Sequence, residues 1–256
     1  MQKKLRDKRS FFLGKGRIMA IAIVDTRVSD ECERRLRGYG YEVLRAPAFS
    51  RLSAPLASHP DMLMFYHGEK IITSADYNAE AEALFSDIRY LCPRVSITFV
   101  DEVQGESYPR DAIFNALVIG NRLFARCESV CRAVTEYAGE CGLEVINVNQ
   151  GYPACCALPL GSDSAITADK GLYRAFISHG VDATLIENGD ILLPPYEYGF
   201  IGGAAGVHRG RVFFLGDVRT HRCADVILGA IERAGLVAVS LGDGPLSDLG
   251  RIIFIE

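Results

Sequence analysis

The amino-acid sequence predicts an α/β fold in which five similar modules form a propeller-like ring. Three features of the 256-residue chain lead to this prediction. An amphipathic helix, a Gly or Pro stop and a short apolar strand recur five times, and four apolar hairpins with Gly-containing turns lie between these units. A further hairpin begins at 250–255, where the chain ends. Units of this size cannot each bury an apolar face alone, so we expect them to share a core.

The first helix and strand of the series follow Val28. Asp30 is expected to cap this helix, because Glu33 stands three residues later, as in a capping box. Gly38 and Gly40 end the helical pattern, and a strand is predicted at 41–44. The order is therefore helix, glycine stop, strand.

The other four units keep this order, and the hairpins separate them. The predicted pairs are a helix at 78–91 with a strand at 95–100, a helix at 130–141 with a strand at 143–148, a helix at 172–178 with a strand at 181–186, and a helix from 224 with a strand at 236–241. The predicted hairpins span 61–73, 111–125, 155–167 and 200–215.

The hairpin at the C-terminus lacks one strand. The apolar segment 10–13 is expected to supply it, which would close the ring and remove a sheet edge. The alternative is an open α/β sheet with hairpin insertions. Doubly wound sheets alternate single strands with helices, however, so four hairpins at similar intervals fit them poorly.

Composition narrows the possible classes of protein. A hydrophobic fraction of 49% supports one packed domain at 19–256 preceded by an extension at 1–18, with the true start at Met1 or Met19 left open. A net charge of −4 with dispersed Lys and Arg argues against nucleic-acid binding. No apolar run reaches the roughly 20 residues of a membrane span. Eight scattered cysteines without a secretory leader favour reduced thiols and a cytoplasmic location.

Four segments then resemble a known family. NQGYPACC, YGFIGGAAG, FLGDVRTH and GPLSDLG together resemble an uncharacterised bacterial family of the pentein, or guanidino-group-modifying, fold. That resemblance implies a pentein-type α/β propeller of five strand-strand-helix-strand modules with pseudo-fivefold symmetry. It also implies a central site in which paired carboxylates bind a guanidinium, a cysteine near the C-terminus attacks it and a histidine assists.

The sequence departs from that pattern in two modules. Its last cysteine is Cys223, and the C-terminal unit reads GPLSDLGRII where the resemblance implies a His-Cys turn. GFIGGAAG contains no carboxylate where an acidic Gly-Gly-Asp segment is implied. Its glycines do not lead from a strand into a helix, so we expect them to permit close backbone packing rather than nucleotide binding.

Two residues are the catalytic candidates. Cys155 follows a sharp turn at Pro153 and is a possible nucleophile, whereas Cys156 should point to the opposite face and join the core. His221 follows an apolar strand and its Gly216 exit, and is a possible general acid or base. Burial of Cys155 in the core and a capping or surface role for His221 are the alternatives.

The candidate substrate-binding residues lie where the hairpins begin. Asp61, Asp111 and Asp248 each stand at such a junction, and equivalent positions in repeats face equivalent directions, so their carboxylates could meet around one cation. Turn capping is the alternative, since Asp does this habitually. The remaining candidates are Asn115, expected on the same strand face as Asp111, and Gln150 and Tyr152 beside Cys155.

These residues support two functions. The first is a hydrolase or transferase acting on a small polar guanidino- or amino-acid-like compound, with Cys155 or an activated water as nucleophile. The second is a binding protein that kept the cavity and lost catalysis. No cofactor or metal site is expected, because Cys127, Cys131 and Cys141 lack CxxC spacing and a nearby His. A structural subunit is a third possibility, and the sequence leaves the oligomeric state open.

Overall fold

A computed structural model describes residues 20–256, which form five three-stranded sheets, one two-stranded sheet and eight α-helices. In chain order these elements are β1 Ile21–Asp25, α1 Asp30–Gly38, β2 Glu42–Ala46, α2 Pro60–Leu63, β3 Met64–His67, β4 Lys70–Ser74, α3 Ala75–Glu80, α4 Glu82–Leu91, β5 Ser96–Val100, β6 Leu117–Ile119, β7 Arg122–Ala125, α5 Arg132–Glu140, β8 Glu144–Asn147, α6 Pro153–Cys156, β9 Ala157–Pro159, β10 Ser164–Thr167, α7 Lys170–Ser178, β11 Asp182–Leu185, β12 Ile191–Leu192, β13 Ala205–His208, β14 Arg211–Phe214, α8 Ala224–Arg233, β15 Val237–Ser240, β16 Leu246–Ser247 and β17 Ile253–Ile255. Short 3₁₀ turns lie at Arg110–Ala112 and Val218–Thr220.

The three-stranded sheets all have the same topology. Each contains two antiparallel strands, then a helix, then a third strand that runs parallel to the second. The first module is β3-β4-β5, the second β6-β7-β8, the third β9-β10-β11 and the fourth β13-β14-β15. In the first module, Met64 pairs with Thr73 and Lys70 with Ser96. The predicted hairpins and parallel strands are therefore present in four consecutive modules.

The fifth module is assembled from the two ends of the described chain. β17 pairs antiparallel with β1, with Ile253 opposite Ile23, and β1 pairs in parallel with β2. The segment expected to complete this hairpin, 10–13, lies outside the described residues, and β1 occupies the position assigned to it. All five residues of β1 are buried, which suits a central strand better than the edge of a sheet.

Local interactions at two helices differ from the sequence prediction. Ser29, rather than Asp30, caps α1, because its backbone is extended and its Oγ accepts the Cys32 N–H. The single helix predicted at 78–91 is two helices, α3 and α4, which divide at Ala81. Ser74 caps the earlier one by accepting the Tyr77 N–H, which starts helical structure before the predicted boundary.

The core consists of five hydrophobic clusters, and each module's helix packs into one of them. Leu36 of α1, Phe85 of α4, Val134 of α5, Phe176 of α7 and Ile227 of α8 are fully buried in different clusters. Burying one such side chain contributes about 1.5–3 kcal/mol. The amphipathic pattern predicted from sequence thus corresponds to the buried face of each helix.

The first strands of the modules approach one another. β6 contacts β9, β9 contacts β13, and β13 contacts β17. The residues immediately before these strands, which we term lead-in segments, are therefore brought together. Their bounds are 59–63, 110–115, 152–156, 199–204 and 248–252. Among the residues that the structure describes, no helix combines the length and apolar character needed to cross a membrane.

Candidate functional site at the convergence of the lead-in segments

A closed series of hydrogen bonds joins the five lead-in segments. Asp61 donates its N–H to the Gly250 carbonyl, and Asn115 Nδ2 donates to the Asp61 carbonyl at 3.3 Å. Asn115 Oδ1 in turn accepts the Ala154 N–H at 2.8 Å. The next link runs from the Gly203 N–H to the Cys155 carbonyl, and the Gly203 carbonyl then accepts N–H groups from residues 249 and 251. Backbone and amide groups thus fix the positions of all five segments.

Cys155 lies at the centre of this arrangement. Its Sγ donates a hydrogen bond to Asp61 Oδ2 at 3.0 Å and accepts one from Asn115 Nδ2 at 3.1 Å. Burial, followed by the charges of Asp61 and Asp248, raises the pKa of the Cys155 thiol well above its ordinary value. At neutral pH this cysteine is therefore a thiol that donates to a carboxylate, and it needs a nearby positive charge to ionise.

Asp61 and Asp248 are buried acids without a cation in hydrogen-bond contact among residues 20–256. Burial raises the pKa of Asp61 to about 6. Burial, together with the negative charge of Asp61, raises the pKa of Asp248 to about 7. Like charges in a low-dielectric setting oppose simultaneous ionisation, so we expect the two carboxyls to titrate as a pair close to neutral pH.

Glycines hold Asp248 in place. Its Oδ2 accepts the Phe200 N–H at 2.8 Å, and its Oδ1 accepts the Gly250 N–H at 3.2 Å. A Cβ on Gly199 or Gly203 would overlap the Asp248 side chain. The sequence prediction that these glycines permit close backbone packing is therefore confirmed.

A second acidic group flanks the first. Tyr152 Oη donates to Asp111 Oδ2 at 2.8 Å, and burial raises the pKa of both side chains. Gln104 Nε2 donates at 2.6 Å to the carbonyls of Met62 and Asp111, which links the first two lead-in segments. In the described part of the chain, Asp61 Oδ1, Asp111 Oδ1 and Gln104 Oε1 are buried acceptors without a donor. The site therefore has unused capacity for N–H donors.

Arg251 is the cationic side chain beside this cluster. Arg251 is half-buried and has a φ of 55°; its backbone N–H donates to the Gly203 carbonyl, and its guanidinium makes no hydrogen bond within residues 20–256. Burial lowers the pKa of its guanidinium, while the charges of Asp61 and Cys155 oppose that shift.

Six of the eight candidate residues lie in this region. They are Asp61, Asp111, Asn115, Tyr152, Cys155 and Asp248. Gln150 is placed differently. Its Nε2 donates to Asp169 Oδ2 at 2.8 Å, at the start of α7, while its Oε1 accepts the Tyr152 N–H. Gln150 thereby shapes the turn before Cys155, and its side chain is directed to Asp169.

His221 contacts a different part of the fourth module. Its Nδ1 accepts the Cys223 N–H at 3.0 Å, and the charged groups acting on it are Asp190, Arg222 and Glu187. The hydrogen bonds of Cys155 go to Asp61 and Asn115 instead. The sequence left open whether Cys155 and His221 meet, and no hydrogen bond joins them in the described part of the chain.

The carboxylates meet for a different local reason from the one expected. Asp61 lies in the helix α2 and Asp111 in a 3₁₀ turn, whereas both were expected at strand starts. Asn115 lies before the strand β6 and not in it, so it does not share a strand face with Asp111 as expected. Cys155 is likewise in the helix α6. Each short helical turn directs its side chain inward before the strand begins.

The sequence prediction missed four residues of this region. They are Asp25, His59, Gln104 and Arg251. His59 was assigned no role, although it stands two residues before Asp61 at the same junction. Gln104 and Arg251 belong to no periodic pattern, and only the chain path brings them to the cluster.

The fold of this chain is similar to those of several solved structures. A P. aeruginosa DDAH, a cysteine-to-serine variant complexed with citrulline, matches with 12% identity and a TM-score of 0.56 over 92% of this chain and 98% of its own. SxtG, an amidinotransferase from Microseira wollei, matches with 13% identity and a TM-score of 0.54 over 86% and 76%. A C. jejuni agmatine deiminase with substrate bound matches with 8% identity and a TM-score of 0.50 over 92% of each chain.

These structural similarities establish the fold of the chain. The chain has the pentein fold of the guanidino-group-modifying enzymes, as the sequence resemblance predicted. Residues 23–253 match DUF6873, a family of unknown function, and the chain belongs to that family. No curated protein matches the sequence.

Proposed function

We propose that this protein binds a small organic cation of the guanidino type at the lead-in segments and acts on its C–N bond as a hydrolase or transferase. The observation that supports this best is the set of buried acceptors without donors: Asp61 Oδ1, Asp111 Oδ1 and Gln104 Oε1, within the described residues. A guanidinium is planar and presents five or more N–H donors in fixed directions. It is therefore suited to several acceptors that converge from different segments.

The charge of the site supports a cationic ligand. Asp61 and Asp248 have raised pKa values because their charges are buried together. A bound cation would stabilise both carboxylates and lower their pKa values. Binding would thus relieve an electrostatic penalty that the free protein bears, which is a source of ligand affinity.

Arg251 supports a ligand that also has an anionic group. Arg251 is half-buried, and its guanidinium interacts electrostatically with Asp61 and makes no hydrogen bond to other described residues. A ligand carboxylate could bind it with two parallel hydrogen bonds. We therefore favour a zwitterionic compound, with its cation toward Asp61 and its carboxylate toward Arg251.

Cys155 is the proposed nucleophile. A bound cation would lower the pKa of its thiol, and Asp61 Oδ2, 3.0 Å away, would accept the proton. Attack of sulfur on the guanidinium carbon forms a C–S bond, and the departing amine takes up a proton from the protonated Asp248 carboxyl as the C–N bond breaks. Water or an acceptor amine then adds to the same carbon and gives a proton back to Asp248, the C–S bond breaks and Asp61 returns its proton to sulfur. Water gives a ureido product, whereas an amine gives a transferred amidino group.

A thermal-shift panel tests the binding step. It contains guanidino amino acids, amidines and primary amines, each measured on the wild type, Asp61→Asn and Asp217→Asn. A ligand at 100 times its Kd adds about 2.7 kcal/mol of stability. We expect such a shift in the wild type and in Asp217→Asn, whose carboxylate pairs with Arg219 elsewhere, and its loss in Asp61→Asn. The absence of a shift from every cation would contradict the proposal.

A binding protein without catalysis is the second candidate. It is motivated by the raised pKa of the Cys155 thiol and by the segment GPLSDLGRII, which contains no cysteine where the resemblance implies a His-Cys turn. Product analysis by mass spectrometry separates the two candidates. Turnover that is lost in Cys155→Ser, with ligand binding retained, supports the enzyme. Binding without any product in the wild type supports the second candidate.

A further inference from the structure

His59 is a buried histidine whose ring has no hydrogen bond to any described residue. Its side chain is 1% exposed, and both Nδ1 and Nε2 lack a partner within residues 20–256. Leaving one buried polar group unsatisfied costs about 1–3 kcal/mol. The backbone of His59 begins α2, because its carbonyl accepts the N–H groups of residues 62 and 63. The imidazole itself therefore has no structural hydrogen bond that explains it.

The ring lies between two buried carboxyls. Nε2 is 3.9 Å from Asp25 Oδ2, and Nδ1 is 4.0 Å from Asp248 Oδ1. Both distances exceed a hydrogen bond, but a movement of about 1 Å brings either carboxyl within range. A Cβ on Gly250 would overlap His59, so glycine at this position allows the C-terminal segment to lie against the ring.

The two carboxyls differ in their other partners. Asp25 accepts hydrogen bonds from Arg27 Nε at 2.9 Å and from Arg27 Nη2 at 2.6 Å. The Arg27 side chain is half-exposed, whereas that of Asp25 is buried. Asp248 has only backbone N–H donors and no cation in contact within the described chain. Asp25 is thus the member of the pair that an arginine holds, and Asp248 is the member without a cation in contact.

We propose that His59 is a positioning residue that stabilises both protonation states of Asp248 by changing its own tautomer. When Asp248 is ionised, Nδ1–H donates to it. When Asp248 is protonated, its O–H donates to Nδ1, and the ring proton resides on Nε2, directed to Asp25. The ring stays neutral in both states, so only the place of its proton changes.

This arrangement makes Asp248 the acid of the site. Its proton can pass to a departing amine, and His59 then donates to the carboxylate that remains. That consequence rests on the proposed function, whereas the tautomer change does not require a ligand. The charged groups that act on the ring are Asp25 and Arg27, at and after the end of β1, and Asp248 of the C-terminal segment lies 4.0 Å from Nδ1. Asp61 and Arg27 act in turn on Asp248, and Arg251 acts on Asp61.

Burial is consistent with a neutral ring. It lowers the pKa of His59 to about 4, against the opposing charge of Asp25. The ring therefore stays uncharged across the range in which Asp248, with a pKa of about 7, changes its protonation.

Nitrogen NMR of the ligand-free, full-length protein with labelled histidine tests the proposal. The His59 signals are assigned by their loss in His59→Gln or, if that variant does not fold, by through-bond correlation in the wild type. Between pH 5 and 9 we expect the protonated nitrogen to change from Nε2 to Nδ1, with a midpoint near the Asp248 pKa of about 7. Asp248→Asn should abolish the change, and Asp217→Asn should leave it intact.

Two results would overturn the proposal. One is a single His59 tautomer in the wild type over the whole pH range, which requires no variant to fold. The other is a tautomer change that persists in Asp248→Asn. Both are independent of the cation panel, so a failed tautomer change and a failed ligand site are distinguishable.

Discussion

The carboxylates at the lead-in segments and two carboxylates that pair with exposed arginines, which we term the outer pairs, have opposite electrostatic settings. Asp61 and Asp248 are buried, contact no cation within residues 20–256, and have pKa values raised to about 6 and about 7. Asp217 bonds to Arg219, which lowers its pKa to about 2, and Asp190 bonds to Arg222, which also lowers its pKa. The outer pairs are already satisfied by arginines, whereas the inner acids are not.

This difference explains why one region is a candidate site and the other is not. His221 stands beside Asp190 and Arg222, where each charge has a partner. Cys155 stands beside two acids that lack one among the described residues. A cationic ligand gains the most binding free energy where burial has already removed water from the carboxylates and the protein supplies no counter-charge.

The largest expected effect concerns the pH dependence of stability, and it distinguishes the two regions. The folded pKa of Asp248 is raised above its unfolded value of 3.8 to about 7. Its stabilising contribution is therefore full below pH 3.8 and is lost as the pH rises toward 7. In the wild type this loss lowers the free energy of unfolding by about 1 kcal/mol for each pH unit over that window, and Asp248→Asn should remove this decrease.

Urea denaturation at several pH values measures this slope. Asp217→Asn is the matched control, because its lowered pKa confines its own effect to more acidic pH. The slope above pH 5 should stay as in the wild type for this variant. Equal slopes in Asp248→Asn and the wild type would show that Asp248 does not bear the burial penalty assigned to it.

The next effect tests the glycine packing around the inner acid. In Gly203→Ala the new methyl group overlaps the Asp248 carboxyl, and Gly203 also links two lead-in segments through its backbone. Overpacking of this kind costs about 1–3 kcal/mol. Thermal denaturation should therefore show a lower Tm.

Gly139→Ala is the control for that substitution. Gly139 lies in α5 with no atom close to an added Cβ, so alanine there should raise stability by about 0.5–1 kcal/mol. A Gly203→Ala protein as stable as the wild type would mean that the lead-in segments can separate at little cost.

The smallest effect is expected at the outer pair. Arg222→Ala removes the guanidinium from Asp190 at the protein surface, where exposed ion pairs contribute little. Its Tm should change less than that of Gly203→Ala, and cation binding should be unaffected. Loss of cation binding in this variant would move the candidate site toward His221.

Local sequence patterns specify the module and its repetition. Amphipathic helices, glycine and proline stops and apolar hairpins act through short-range interactions, and these elements are present in the first four modules, although the helix predicted at 78–91 divides into α3 and α4. The sequence placed Asp61, Asp111 and Asp248 together by the rule that equivalent junctions in a repeat occupy equivalent places. Asn115, Tyr152 and Cys155 were proposed from their positions beside strands and turns, and a functional role for all six stays a prediction. That rule depends on spacing along the chain, which a sequence displays directly.

Packing between distant parts of the chain sets what completes the ring and which groups meet there. The pairing of β1 with β17 joins distant parts of the chain, and no local pattern specifies that choice. The same holds for His59 between Asp25 and Asp248, and for the separation of His221 from Cys155. Short helical turns orient these side chains, and burial then sets their protonation, so both the contacts and the charge of the site depend on packing between modules.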